Sequence, residues 1–277
     1  MDLLSDKGLD RHIIFIHFGG IHMFTTILKH KPLIHHLTNT VTINDCANVT
    51  LAVGASPVMA EDIREVEEMV RLAQALVLNI GTIDADMQAA QRLAASEARR
   101  LNVPIILDPV GAGATSLRTS FSKELSRLGC TVVKGNASEI KTLLGENGRT
   151  KGVDAASDEI MDREIIRAFA RKQKSVIVVT GPIDYITDGM REVELQVGTP
   201  RLGDVTGTGC MTASLIASFL GAGYSAFEAA VHGTFIMGKA GEQAASEKGL
   251  GNFKRELFNA ISLMTEQDLM EVVEHVN

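Results

Sequence analysis

Apolar and polar positions along the chain follow two rhythms. Short, mostly apolar runs at residues 33–37, 57–59, 75–80, 104–107, 131–133 and 175–180 predict strands, several of them covered on both faces. Between them, residues 43–53, 62–72, 84–101, 117–128, 139–144 and 158–172 carry helical patterns. In the second of these, Ile63, Val66, Met69 and Val70 form the apolar stripe, and Asp62, Arg64, Glu65, Glu67 and Glu68 the wet side. Such alternation predicts βαβ units, hence a parallel sheet between helical layers. After Thr180 the rhythm changes: residues 184–187 and 191–197 flank Asp188-Gly189, a hairpin signal that predicts an antiparallel edge. Further helices are expected through residues 211–220, 226–245 and 253–273. No low-complexity linker or internal repeat divides the pattern, so the expected architecture is one α/β domain, a three-layer sandwich with a mostly parallel central sheet and an antiparallel edge hairpin.

Residues 1–22 stand apart. The run Ile13-Ile14-Phe15-Ile16 is interrupted by His17 and stops at Gly19-Gly20, too short to span a membrane. Asp2, Asp6 and Asp10 dilute Lys7 and Arg11, unlike the start of a secretory signal. With Met23 opening a more ordinary sequence, 1–22 reads as an extension of open role, followed by a single domain over 23–277.

Charge and cysteine usage narrow the function classes. With 27 basic against 34 acidic residues the formal net charge is −7, and no basic block offers a nucleic-acid surface, so small soluble partners fit better. Cys46, Cys130 and Cys210 are odd in number and widely spaced, suggesting neither a disulfide framework nor a zinc site, and a reducing, cytoplasmic setting is expected. Six of the eight histidines precede residue 37, yet none forms a metal-spaced pair with a third ligand. His35 and His36, adjacent on a strand, would face opposite ways.

The chemistry concentrates at Gly203-Asp204-Val205-Thr206-Gly207-Thr208-Gly209-Cys210, which runs straight into the apolar segment 211–220. Glycines two apart allow a tight turn, and Thr206 and Thr208 are suitable caps for the helix that follows. The first N–H groups of that helix lack internal partners and sit at the positive end of its dipole, which makes the turn ready for an anion such as a phosphate. A thiol there, Cys210, is expected to be biased toward the thiolate. A glycine-capped turn without a ligand would also satisfy this pattern.

In open α/β sheets ligands bind beyond the carboxyl ends of the strands, and these ends are polar and glycine-rich here. They read Thr38-Asn39-Thr40, Asn79-Ile80-Gly81-Thr82, Asp108-Pro109-Val110-Gly111-Ala112-Gly113, Lys134-Gly135-Asn136-Ala137-Ser138-Glu139 and Thr180-Gly181. Each has a plain alternative: Asn136 and Glu139 as a capping box, Asp108 as a turn cap, Lys134 as a solvated lysine. Five such ends on one rim, beside an anion-ready helix start, argue for a site.

No Gly-x₄-Gly-Lys-Ser/Thr occurs, and neither Gly111-Ala-Gly113 nor Gly221-Ala-Gly223 continues to a third glycine at dinucleotide spacing. The glycine turn, with Asn136-x-x-Glu139 in mid-chain, instead resembles the ribokinase-like superfamily. Within it the chain is similar to the hydroxyethylthiazole kinase family from about residue 32 onward. The likeness rests on Leu37-Thr38-Asn39, Gly54-Ala55-Ser56-Pro57-Val58-Met59, Asn79-Ile80-Gly81-Thr82, residues 108–115, Lys134-Gly135-Asn136-x-x-Glu139, Val179-Thr180-Gly181 and residues 205–210. The resemblance implies phosphorylation of the hydroxyl of 4-methyl-5-(2-hydroxyethyl)thiazole in thiamin salvage, with ATP and magnesium. It further implies an anion hole at Gly207, Thr208, Gly209 and Cys210, with Cys210 catalytic where related kinases carry aspartate. ATP would be contacted by Lys134 and Thr180, the thiazole by Asn39, Met59, Gly81 and Gly207, and magnesium by Asp108 and Glu139, through water or directly. Family members form trimers, so Met59 and Gly81 would come from a neighbouring chain. Two other readings compete. One is another ribokinase-like reaction: a hydroxymethylpyrimidine or pyridoxal kinase, or a dehydratase of hydrated nicotinamide nucleotide. The other is a binding protein without turnover, which would have no need of Asp108 and Glu139.

Overall fold

A computed structural model describes residues 23–145 and 162–270. Its centre is one eight-stranded sheet in the order β2-β1-β3-β4-β5-β6-β7-β8. The strands are β1 (Leu33–Leu37), β2 (Ser56–Val58), β3 (Ala75–Asn79), β4 (Ile105–Asp108), β5 (Val132–Asn136), β6 (Val176–Thr180), β7 (Asp184–Thr187) and β8 (Glu192–Leu195). The first six run parallel, and β7 and β8 complete an antiparallel edge. The expected sandwich is therefore present.

Side chains alternate between two cores, as a pleated sheet requires. Ile34, Val77, Ile106, Val132 and Val178 join one, beneath α2 (Ile43–Ala52), α8 (Thr208–Gly221), α9 (Ala226–Ala244) and α10 (Leu250–Leu263). Leu37, Leu76, Leu78, Leu107 and Val133 join the other, beneath α3 (Val66–Leu72), α4 (Ala85–Leu101), α5 (Ser116–Arg127), α6 (Ala137–Leu144) and α7 (Arg163–Gln173). The remaining α-helices, α1 (Met23–His30) and α11 (Glu266–Met270), touch one another and add Ile27 and Leu269 to the first core. Every residue from Met211 to Leu220 is buried, so α8 is an interior helix, as its apolar sequence predicts.

Several boundaries depart from the sequence expectation for identifiable reasons. Helix α3 starts at Val66, four residues late, because the Asp62 carboxylate accepts the Arg64 N–H and pairs with its guanidinium. Ile63 thereby leaves the apolar stripe and lies exposed. Strand β5 runs on to Asn136, so Lys134 is a strand residue. The β7–β8 connection spans residues 188–191, longer than a two-residue turn, with Asp188 Oδ1 accepting the N–H groups of Met190 and Arg191. The helix expected over 253–273 breaks after Leu263, where Thr265 N–H and Oγ1 donate to the Asp268 carboxylate. Residues 1–22, the start of the helix expected from 158, and the stretch beyond 270 lie outside the described residues. No helix among the described residues is long and apolar enough to cross a membrane.

Candidate active site

The start of α8 is built by Gly207 rather than by either threonine. Gly207 is the N-cap at φ 96°, with no side chain capping the helix. That left-handed backbone suits glycine, and a Cβ there would lie 2.8 Å from Thr42 Cγ2. Thr208 turns away and donates its hydroxyl to the Leu202 carbonyl at 2.9 Å, which anchors the turn to the preceding segment. The first intrahelical bond is Met211 N–H to Gly207 O, 2.8 Å, so the N–H groups of Thr208, Gly209 and Cys210 are left for a ligand.

Two clefts meet at this turn. The smaller, about 350 Å³, is bordered by Asn39, Gly81, Asp108, Lys134, Glu139, Gly207 and Cys210. The larger, about 460 Å³, is bordered by Asp184, Val197, Pro200, Thr208, Thr234 and Met237. Thr180 and Gly209 border both. Of the residues singled out from the sequence, all but Met59 line one cleft or the other; Met59 follows the edge strand β2 and reaches neither.

The polar core of the smaller cleft is a connected row. Asn79 Nδ2 donates to Asp108 Oδ2 at 2.8 Å and to Cys210 Sγ at 3.2 Å, while Asn39 Nδ2 donates to Asn79 Oδ1 at 3.0 Å and to Cys210 Sγ at 3.4 Å. Lys134 Nζ lies 3.4 Å from Asp108 Oδ1. Both ends of this ion pair are buried, Asp108 at 1% and Lys134 at 4% exposure, which excludes the solvated-lysine reading. Burial pulls the Lys134 ammonium pKa down, but the neighbouring Asp108 carboxylate, with Glu139 further off, outweighs it and leaves it raised. A Cβ on Gly209 would lie 3.0 Å from Lys134 Nζ, so the ammonium sits against the anion turn.

Cys210 departs from the expected thiolate bias. Its pKa is raised, first by burial and then by the Asp108 carboxylate, against the opposing pull of Lys134 and the hydrogen bonds from Thr42 and Asn79. With its pKa raised, the group is held as the thiol.

Glu139 has a structural task. Its Oε2 accepts the Asn136 N–H and Asn136 Oδ1 accepts the Glu139 N–H, both at 2.9 Å, completing the capping box of α6. Its Oε1 accepts the Gly111 N–H at 2.9 Å and ties down the loop after β4. With both carboxylates already hydrogen-bonded, and no group of three His, Cys, Asp or Glu side chains among the described residues disposed to hold a metal, a protein-built cage does not fit. The donor set does suit a hydrated magnesium ion that takes its inner ligands from phosphates and waters, since each carboxylate oxygen retains acceptor capacity.

Residues to which the sequence assigned no role in the site complete the frame. Asn79 joins the carboxylate to the thiol, and its place at a polar strand end was the available signal. Arg118 reaches from α5 to the carbonyls of Ile80, Val110 and Gly81 at 2.6–2.9 Å, holding the loops after β3 and β4 together. Beneath the turn, His36 Nε2 meets Ser214 Oγ at 3.1 Å on α8, whereas His35 Nε2 meets the Ala60 carbonyl, so the two rings do face opposite ways. Burial pushes the His36 pKa down to about 4.

A mostly parallel sheet between helices, with an anion-ready helix start joining two clefts beyond the strand ends, is the ribokinase-like fold. A ribokinase-like superfamily protein from Enterococcus faecalis V583 shares this fold at a TM-score of 0.63 and 14% identity, covering 88% of this chain and 89% of its own. The chain belongs to the hydroxyethylthiazole kinase family, whose sequence profile matches residues 24–267, and is a phosphotransferase. It is 65% identical over 251 residues to the hydroxyethylthiazole kinase of Exiguobacterium sibiricum, covering 90% of this chain and 98% of that one. The structure of hydroxyethylthiazole kinase protein from Pyrococcus horikoshii OT3 matches at a TM-score of 0.83 and 39% identity, over 90% of this chain and 95% of that one.

Proposed function

We propose that the protein transfers the γ-phosphoryl group of ATP to the hydroxyl of 4-methyl-5-(2-hydroxyethyl)thiazole, a step of thiamin salvage. The observation that carries this reading is the turn at residues 207–210, whose free N–H groups stand where the two clefts meet. The nucleotide takes the larger cleft and the thiazole alcohol the smaller, so the transferring group lies over the turn. The hydroxyl oxygen forms a bond to the γ-phosphorus as the bond to the β–γ bridging oxygen breaks, ADP leaves, and the proton departs with the product phosphate or to solvent. Backbone N–H groups and Lys134 offset the charge on the transferring group. Cys210 touches the attacking hydroxyl and aligns it, the Asn39 and Asn79 amides fixing its sulfur. Magnesium, held by Asp108 and Glu139 through its waters, would supply further phosphate charge neutralisation.

Met59 borders neither cleft of its own chain, which supports an assembly in which a neighbouring subunit supplies it; a homotrimer is the arrangement the family resemblance implies. Other ribokinase-like acceptors are less favoured, since the relatives of high identity are hydroxyethylthiazole kinases.

The deciding experiment incubates the protein with MgATP and a panel of thiazole, hydroxymethylpyrimidine and pyridoxal alcohols. Phosphorylation of hydroxyethylthiazole should exceed that of hydroxymethylpyrimidine by at least about tenfold in kcat/KM, a discrimination pocket contacts can supply. Equal rates or the reverse order would refute the assignment.

A further inference from the structure

The larger cleft has one ionisable side chain among its described lining residues, Asp184, and no cation. Asp184 opens β7, and its Oδ1 accepts the Gly181 N–H at 3.0 Å, tying it to the end of β6. Its Oδ2 makes no hydrogen bond with a described side chain or backbone group, and the residue is only partly buried, so that oxygen is left to the cleft. A carboxylate repels phosphates and selects hydroxyl or N–H donors instead. Around it the walls are Val197, Pro200, Leu202 and Met237, an apolar slot of the sort that receives a flat ring. A second observation points to a ligand in the same place: Thr234, 2% exposed and also lining the cleft, carries a hydroxyl with no hydrogen-bond partner. A buried orphan hydroxyl is uncommon in a folded chain, and a polar atom entering the cleft would satisfy it.

We infer that Asp184 accepts a hydrogen bond from a ribose hydroxyl of the nucleotide and makes the enzyme discriminate ribonucleotides from deoxyribonucleotides. This rests on the reading that the larger cleft is the nucleotide side. The chemistry is matched: the nucleoside is the uncharged, hydroxyl-bearing part of ATP, and a hydroxyl is the donor a carboxylate accepts. Burial raises the Asp184 carboxyl to about 6, against the opposing Gly181 N–H and Lys134, so it is still an acceptor-only anion at neutral pH. A hydrogen bond between a neutral hydroxyl and a charged group, once lost, weakens binding by about tenfold or more.

The test compares ADP, 2′-deoxy-ADP and 3′-deoxy-ADP by calorimetry at pH 7.5 on the full chain, and the corresponding triphosphates in the kinase assay, for wild type and Asp184→Asn. The wild type should bind at least one deoxy analogue about tenfold more weakly than ADP. Asp184→Asn should narrow that gap to about twofold, since its neutral amide still reaches the Gly181 N–H but loses the anionic acceptor. The KM for the thiazole alcohol should not move. Equal binding of all three nucleotides by the wild type, or a gap that Asp184→Asn leaves intact, would overturn the inference. The wild-type comparison stands alone if the variant fails to fold. Failure to phosphorylate the thiazole alcohol with any nucleotide would overturn the proposed reaction, and the calorimetry would still decide the ribose contact.

Discussion

Removing the Lys134 ammonium tests the buried ion pair most directly. At 3.4 Å and an effective dielectric near 20, a unit pair attracts by about 5 kcal/mol. Desolvation of two groups at 1% and 4% exposure offsets most of that, so the intact pair is worth little net, whereas deleting one partner strands the other. Breaking a buried pair typically costs about 3–5 kcal/mol. For Lys134→Met the lower end is expected, about 3 kcal/mol, because Asn79 still donates to Asp108 Oδ2. Asp108→Asn should cost a similar amount by stranding the ammonium. The double variant Asp108→Asn/Lys134→Met strands neither, and should fall short of the summed single losses by about 2–3 kcal/mol. Urea unfolding of all four proteins, at one protein concentration so that assembly does not enter the comparison, gives the cycle. Additive losses, within about 0.5 kcal/mol, would show that the two groups do not depend on each other and refute the reasoning.

Two further outcomes are expected. Cys210→Ala should lower kcat measurably but by less than about 10³, and Cys210→Asp should stay active, because the backbone donors of the turn survive both changes; an unchanged rate in the alanine variant would remove the thiol from the mechanism. If Met59 completes a neighbour's pocket, inactive Met59→Ala and Lys134→Met proteins should regain activity when mixed and allowed to exchange subunits, and a monomer by light scattering with full activity would rule that out.

Much of the site is legible in the sequence because strand ends announce themselves. Continuous apolar runs end in polar or glycine residues, and the residues at or just past those ends include Asn39, Gly81, Asp108, Glu139 and Thr180, all on one rim. Strand β5 is longer than its pattern suggests, because Val-Val-Lys has the look of an apolar run stopped by a surface charge. Lysine is so seldom buried that only its carboxylate partner, 26 residues away in sequence, explains its place. Capping at α8 is hidden for a different reason. Thr206 and Thr208 have the composition of N-caps, but the glycine between them takes the left-handed conformation and Thr208 is drawn to the Leu202 carbonyl. A thiolate at Cys210 follows from the helix dipole alone; burial and Asp108 reverse it, and neither is visible until the chain is folded. Asp184 and Thr234 give no local signal, since a strand-start aspartate and a mid-helix threonine are ordinary until a cleft is found between them.

The register of the sheet accounts for why the site is assembled where it is. Asn79 and Asp108 are direct partners across β3 and β4, and Leu107 partners Val133 across β4 and β5, which sets Lys134 beside Asp108. Asn79, Asp108 and Lys134 therefore stand in a row on three adjacent strands, each two residues past a side chain (Val77, Ile106, Val132) that packs into the core beneath α8. That alternation fixes their direction: the same face that buries valine and isoleucine against α8 presents the amide, the carboxylate and the ammonium to the start of α8. A one-residue slip of β4 would put Asp108 on the opposite face and Leu107 in its place, losing a core contact, the ion pair and the bond to Asn79 together. Stability and chemistry thus constrain the same register, and the polar row is held in place by the apolar row directly behind it.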